Sequence, residues 1–252
     1  KETVEYLGAG AGLDNAWYRH FAQSIDFPTI AIVPSTGSPT LIVHNIFEDV
    51  VRQAVGNACQ IQLYYERGSD AVQAYIPMII EQLKTVNLAG GTIGIEIGSG
   101  TTTDLKLGVP LGAFRKIQTR LPDAEFINAG DMLRSIRMAK TDNELAYIRR
   151  ATEAIDAVFE QVFDSLKPGM TEIEIVSLCN KLVSEQGARP IWTLACTNPF
   201  EILPRPNVTL DNGDTLFLDI GATVGGYHSD YNRMAVVGDP SQEQRDHNQT
   251  VA

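Results

Sequence analysis

The chain has 252 residues, with 31 acidic and 20 basic side chains, and its formal net charge is −11. Apolar residues make up 44% and charged residues 20%, which is ordinary for a globular protein of one large or two average domains and excludes disorder over most of the chain. The acidic balance argues against nucleic acids and anionic membrane surfaces as partners, because both attract basic patches.

Cysteine usage and the lack of apolar segments bear on the cellular compartment. Cys59, Cys179 and Cys196 have neither the spacing of a disulfide framework nor that of a zinc site. No stretch approaches the roughly 18 apolar residues that a membrane span requires, and the N-terminus does not resemble a signal peptide. We therefore expect a soluble, cytoplasmic protein with reduced thiols.

The first half of the chain alternates strand-like with helical patterns. Apolar runs at residues 29–34 and 39–44 flank a turn and predict a hairpin. Helical spacing follows near residues 47–54 and 71–83, and another strand-like run covers residues 94–98. This alternation predicts an α/β arrangement up to about residue 130.

The pattern changes to long helices after that point. Residues 134–166 repeat apolar side chains at steps of three and four, with Thr141 and Glu144 forming a capping box and Lys-Pro-Gly ending the helix. A second box at Thr171 begins a helix that is expected to end near Gly187. We expect a domain boundary between about residues 128 and 140, giving domains at residues 1–132 and 133–252.

The candidate functional residues of the second domain lie in an acidic hairpin. Asp219 interrupts an apolar strand, and Asp230 lies on a second strand after a glycine-containing turn. A turn at residues 224–225 would place Asp219 opposite Asp230, whereas a turn at residues 225–226 would place Asp219 opposite Asn232. In both registers the two carboxylates share one face with His228, because side chains alternate with a period of two.

Two carboxylates so close together on a mostly apolar sheet repel each other unless a proton, water or a cation lies between them. A divalent metal ion balances this charge best, and one carboxylate can bridge two such ions. The alternative is a solvated hairpin tip with surface aspartates.

Three further segments contain recognisable sequence motifs. Residues 133–137 with 140–145 carry Leu-Arg-Ser-Ile-Arg and Lys-Thr-Asp-Asn-Glu-Leu, and residues 167–172 read Lys-Pro-Gly-Met-Thr-Glu. With the Gly-Asp pair at residues 213–214 and the hairpin that follows, the chain resembles the pita-bread metallopeptidases, which include aminopeptidase P, prolidase and the metal-free creatinase.

The resemblance implies a fold, a function and a cofactor. The fold is an α/β creatinase-like N-terminal domain followed by the first part of an α+β pita-bread catalytic domain. The function is metal-dependent hydrolysis of Xaa-Pro peptides or related small amides, by water activated at a dinuclear centre of Mn, Co, Fe or Zn. Asp219 corresponds to a ligand of one metal ion and Asp230 to the bridging carboxylate.

The resemblance also implies a chain that stops midway through the catalytic domain. The remaining ligands of the family, one histidine and two glutamates, lie in later segments, and a helix beginning at residues 241–245 has little room before Ala252. We therefore expect a C-terminally truncated chain that is inactive by itself. Its catalytic residues in the strict sense are unknown.

One departure from the family concerns the substrate. Ile202 lies where the peptidases usually carry a substrate-binding histidine, so the sequence puts ordinary proline-directed activity in doubt. Arg205 and His228 are the candidate substrate-binding residues. Residues 17–19 belong to the segment that the resemblance places near a neighbouring subunit's active site, and the expected assembly is a homodimer.

Two alternative functions stay open on this scaffold. One is a lyase or carbon–nitrogen hydrolase acting on a small non-peptide substrate. The other is a non-catalytic binding module with a peptidase-like fold. Metal-free relatives and binding modules generally lose the two aspartates, so Asp219 and Asp230 favour the metalloenzyme.

Overall fold

The computed structural model describes residues 29–66, 69–97, 109–197 and 203–251. It divides into two compact units, one ending at Lys140 and the other beginning at Thr141. The division falls at the end of the range 128–140, and the domain limits 1–132 and 133–252 remain a prediction. In the described ranges no helix combines the length and apolar character needed to cross a bilayer.

The first unit contains a three-stranded sheet. Strands β1 (Ile30–Ile32) and β2 (Thr40–His44) pair antiparallel, as the expected hairpin requires, and β3 (Gln60–Tyr64) pairs parallel to β2. Such a parallel pair needs a crossover connection. Helix α1 (Glu48–Val55) supplies it and covers one side of the sheet with Val51 and Val55.

The rest of the first unit is a second α/β segment. It consists of helix α2 (Ser69–Thr85), strand β4 (Thr92–Ile95), helix α3 (Leu111–Arg120), strand β5 (Glu125–Asn128) and helix α4 (Gly130–Met138). Strands β4 and β5 pair parallel. The strand expected at residues 94–98 is found at residues 92–95 instead. Gly98, the last residue of the expected strand, lies outside the described ranges.

The second unit begins with two capped helices. They are α5 (Asp142–Ser165) and α6 (Glu172–Glu185). At each start a threonine hydroxyl accepts from the backbone N–H three residues on, and the glutamate there accepts from the threonine N–H. The helical stretch expected from residue 134 to 166 is broken before α5, because Thr141 is extended in order to cap the helix.

Three antiparallel strands complete the second unit. They are β6 (Arg189–Cys196), β7 (Thr215–Val224) and β8 (Tyr227–Val236), paired in that order, and helix α7 (Gln242–Val251) follows them. Sequence patterning predicted β7, β8 and the start of α7 but not β6.

Helices α5 and α6 cover one face of this sheet. Alternate strand residues such as Leu218 and Ile220 are fully buried against Ile155 and Val158 of α5. The Ser229 hydroxyl donates to the carbonyl of Ala151 at 3.0 Å, which ties β8 to α5. The opposite face of β7 and β8 carries the acidic residues singled out from the sequence.

Candidate metal centre

The turn between β7 and β8 fixes which residues of the hairpin face each other. Gly225 and Gly226 have φ angles of 55° and 84°, a region that glycine enters without steric cost. Both residues form the turn, and Val224 pairs with Tyr227. Of the two registers left open by the sequence, the one with the turn at residues 225–226 is observed.

This register places Asp219 and Asp230 diagonally on one face. Asp219 pairs with Asn232, and Gly221 pairs with Asp230. Diagonal side chains of this kind have Cβ atoms about 7 Å apart, which is within reach of two carboxylates that share a cation. Asp219 is half-buried and Asp230 is exposed.

Neither carboxylate forms an ion pair with any of the residues that the structure describes. In the described part of the chain, the ion pairs of the second unit join Lys181 to Glu185 and Arg205 to Glu172, and they leave Asp219 and Asp230 without a basic partner. The negative charge of the pair therefore has no cation from the described residues.

Strand β6 adds a residue that the sequence analysis missed. Trp192 pairs with Gly221, and its indole Nε1–H donates to Oδ1 of Asp219 at 3.2 Å. The ring lies so close over Gly221 that a Cβ there would overlap it. The run of apolar and β-branched residues after Pro190 was the available signal for this strand.

The donor set fits part of a site for a divalent metal ion. Asp219 and Asp230 offer oxygen ligands of the kind that Mn, Co, Fe and Zn ions accept. Within residues 29–66, 69–97, 109–197 and 203–251, however, no group of three histidine, cysteine, aspartate or glutamate side chains is placed to hold a metal. The described residues therefore supply two ligands and not a complete coordination shell.

His228 lies on the same face, as the sequence predicts. It pairs with Thr223, two residues along β7 from Gly221, and it is exposed. Thr223 is only 7% exposed, and none of the described residues forms a hydrogen bond with its hydroxyl. The role of His228 as a substrate contact remains a prediction.

Arg205 is engaged within the fold. It donates from its backbone N–H at 2.7 Å and from its guanidinium Nη2 at 3.1 Å to Glu172, the fully buried first residue of α6. The backbone and hydroxyl groups of Thr197 donate to the same carboxylate. A substrate-binding role for Arg205 remains a prediction, and the geometry shows a structural ion pair.

The charge of Glu172 is stabilised despite its burial. Burial by itself raises the pKa of this carboxyl, but the hydrogen bonds from Arg205 and Thr197 outweigh it and hold the pKa below the usual value. Glu172 was predicted only as part of the Lys-Pro-Gly-Met-Thr-Glu segment. Ile202 and residues 17–19 lie outside the described residues.

Comparison with protein families identifies the second unit. Residues 146–252, which begin within α5 and include the acidic hairpin, match metallopeptidase family M24. The second unit therefore resembles this family over nearly its whole length. The resemblance to the pita-bread metallopeptidases is thereby confirmed.

Curated relatives in this family are peptidases by name. The chain is 33% identical over 120 residues to the probable dipeptidase PepE of Mycobacterium tuberculosis, covering 46% of this chain and 32% of that protein. It is 25% identical over 147 residues to the Xaa-Pro dipeptidase of Pyrococcus horikoshii, covering 56% and 42%. The chain thus spans less than half the length of these two M24 relatives.

Solved structures share the fold over nearly the whole chain. The X-Pro aminopeptidase of Thermotoga maritima aligns with a TM-score of 0.72 at 20% identity, covering 99% of this chain and 67% of that one. The Xaa-Pro dipeptidase of Bacillus anthracis aligns with a TM-score of 0.70 at 22% identity, covering 97% and 67%. The expected fold class, an α/β creatinase-like domain followed by the first part of an α+β pita-bread catalytic domain, is confirmed.

Proposed function

We propose that the protein is a metal-dependent hydrolase of Xaa-Pro peptides or related small amide bonds. The observation that carries the proposal is the diagonal pair Asp219 and Asp230 on one face of the hairpin, with no basic partner among the described residues. The pair lies in the segment that matches family M24, whose curated relatives include Xaa-Pro dipeptidases.

Asp219 and Asp230 are the residues that would hold two divalent ions, together with ligands from elsewhere in the protein. Such ions, whether Mn, Co, Fe or Zn, supply Lewis-acid polarisation of a carbonyl and a lowered pKa of water. The strands β7 and β8 fix the separation of the two carboxylates, since both strands are paired along their full length. Asp230 is exposed, so its carboxylate is accessible to a divalent ion.

A small peptide or amide is the proposed substrate, and His228 is its proposed contact on the acidic face. We also propose a homodimer in the cytoplasm. None of the three cysteines forms a disulfide, which agrees with a reducing compartment. Retention of both aspartates favours hydrolysis over a non-catalytic binding module.

The test compares Asp219→Asn and Asp230→Asn with the wild type, using the natural full-length protein. We expect each substitution to abolish tight binding of Mn²⁺ and Co²⁺ in calorimetry and hydrolysis of Xaa-Pro dipeptides together, because each removes a negatively charged oxygen ligand. Asp239→Asn, at an exposed position after β8, is the matched control and should change neither.

Two results would contradict the proposal. One is a wild-type protein that binds neither ion and cleaves no amide in a panel of dipeptides and non-peptide amides. The other is unchanged metal affinity in both aspartate variants. A protein that binds metal through the pair but cleaves only non-peptide carbon–nitrogen bonds would support the alternative hydrolase.

A further inference from the structure

Asp219 accepts a hydrogen bond from Trp192 of the neighbouring strand β6. The indole Nε1–H of Trp192 donates to Oδ1 of Asp219 at 3.2 Å, and this contact joins residues that are 27 positions apart in the sequence. A tryptophan side chain has no acceptor, so its single N–H can serve only a group such as a carboxylate oxygen.

The backbone is arranged to keep the indole in that place. Trp192 pairs with Gly221, and the ring occupies the volume where any larger residue would put its Cβ. The pairing shifts by one residue between Pro190 and Trp192, a bulge that re-aims the side chains on β6. Gly221 is the partner of Asp230 and lies two residues from Asp219 along β7, so the ring covers the floor of the acidic face beside both carboxylates.

The hydrogen bond also distinguishes the two oxygens of Asp219. Oδ1 is engaged by the indole, and among the described residues no side chain donates to Oδ2. The carboxylate is therefore held in one orientation with one oxygen left for a cation. Groups that orient a metal-binding side chain in this way typically change metal affinity by 10- to 100-fold.

We propose that Trp192 is a positioning residue for metal binding, which fixes the carboxylate of Asp219 through its indole N–H. This inference rests on the proposed function, because it takes Asp219 to be a metal ligand. It adds a residue of β6 to a site otherwise built from the hairpin, and an ion held by Asp219 would lie near its aromatic ring.

The first test measures metal affinity of the full-length protein by calorimetry with Mn²⁺ and Co²⁺. Trp192→Phe keeps a ring over Gly221 but removes the donor, and we expect its Kd to rise at least tenfold. Trp192→Gln removes the ring but restores an N–H donor, and we expect it to recover part of the lost affinity. Tyr231→Phe is the control, since it removes a hydroxyl from the opposite face of the same hairpin, where it bonds to Asp156.

The second test uses the indole itself as a probe. In the full-length protein every tryptophan other than Trp192, including Trp17, is replaced by phenylalanine, so that Trp192 is the sole emitter. We expect Co²⁺ to quench the Trp192 fluorescence over the same concentration range in which calorimetry detects binding. This readout requires no substrate and no turnover.

The outcomes separate this inference from the proposed function. Metal binding by the wild type with an unchanged Kd in Trp192→Phe would overturn the positioning role and leave the proposed function intact. Binding without quenching of Trp192 would overturn it as well, because the ion would then lie away from Asp219. Failure of the wild type to bind either ion would overturn the proposed function and this inference together.

Discussion

Glu172 shows how a single buried charge is tolerated at the residue scale. It is fully buried, yet it accepts five hydrogen bonds from Thr197 and Arg205. Removal of one member of a buried ion pair commonly costs more than the pair contributes, because the remaining charge has no partner. The ion pair ties the start of α6 to the segment that precedes β7.

The lowered pKa of Glu172 predicts a dependence of stability on pH. Because the folded pKa lies below the unfolded value of about 4.3, this group stabilises the fold fully above that pH, and the contribution is lost as the pH falls through the folded pKa. We expect Glu172→Gln to lower the free energy of unfolding by about 1–3 kcal/mol at pH 7, since the partly exposed Arg205 keeps access to water, and to weaken its acid dependence.

The measurement is urea unfolding of the wild type and the variant between pH 3 and pH 7, followed by circular dichroism. Glu153→Gln, at an exposed position on α5, serves as the control and should leave the profile unchanged. Equal acid dependence in the wild type and Glu172→Gln would show that other groups cause the acid unfolding.

At the scale of elements, the β7–β8 turn decides the register of the acidic hairpin. A shift of one residue in a hairpin would move every side chain of one strand to the other face. Two consecutive glycines with positive φ allow a two-residue turn whose twist matches that of the strands. The diagonal placement of Asp219 and Asp230 therefore depends on residues 225–226.

We expect Gly226→Ala to destabilise the protein by about 1 kcal/mol, because a residue with a Cβ pays a steric cost at a φ of 84°. Gly226→Asn should cost less, since asparagine enters this region more readily. Thermal and urea unfolding of the two variants measure the difference. Equal stability of both variants and the wild type would mean that the turn does not require this conformation.

Local elements were predicted from the sequence more successfully than long-range ones. The capping boxes at Thr141 and Thr171 were predicted because their hydrogen bonds join residues three positions apart. Strand β6 was missed, since its stability comes from pairing with β7 and no local bond marks it. The same reason hid Trp192, whose partner Asp219 is distant in sequence.

At the scale of the whole molecule, each unit has its own buried core. The second unit packs α5 and α6 against the sheet of β6, β7 and β8, and Cys179 lies in this core with no exposed surface. Burial raises the pKa of the Cys179 thiol to about 12, so almost no reactive thiolate exists at neutral pH. Cys59, in the first unit, is only half-buried.

This difference predicts the order of thiol modification. We expect iodoacetamide at pH 8 to modify Cys59 in the native protein and Cys179 only in urea concentrations that unfold the second unit. Mass spectrometry of tryptic peptides after short pulses measures both reactions. Ile155→Ala, which removes a fully buried side chain from the core around Cys179 at a cost of about 2–5 kcal/mol, should move Cys179 modification to lower urea.

Modification of Cys179 in native conditions at the rate of Cys59 would contradict this prediction. It would mean that the second unit opens locally around α6 without unfolding as a whole.

The sequence by itself determined the features that depend on local spacing or on a resemblance between motifs. These are the capped helices, the acidic hairpin, the shared face of Asp219 and Asp230, and the resemblance to the pita-bread metallopeptidases. Period-two alternation is a property of any strand, so the shared face followed from either register.

Only the tertiary structure decided the surroundings of these residues. It selected the register, paired Arg205 with the buried Glu172, and brought Trp192 over Gly221 to donate to Asp219. The Arg205–Glu172 and Trp192–Asp219 contacts join residues 33 and 27 positions apart in the sequence, and their geometry arises from the packing of strands and helices that no local pattern specifies.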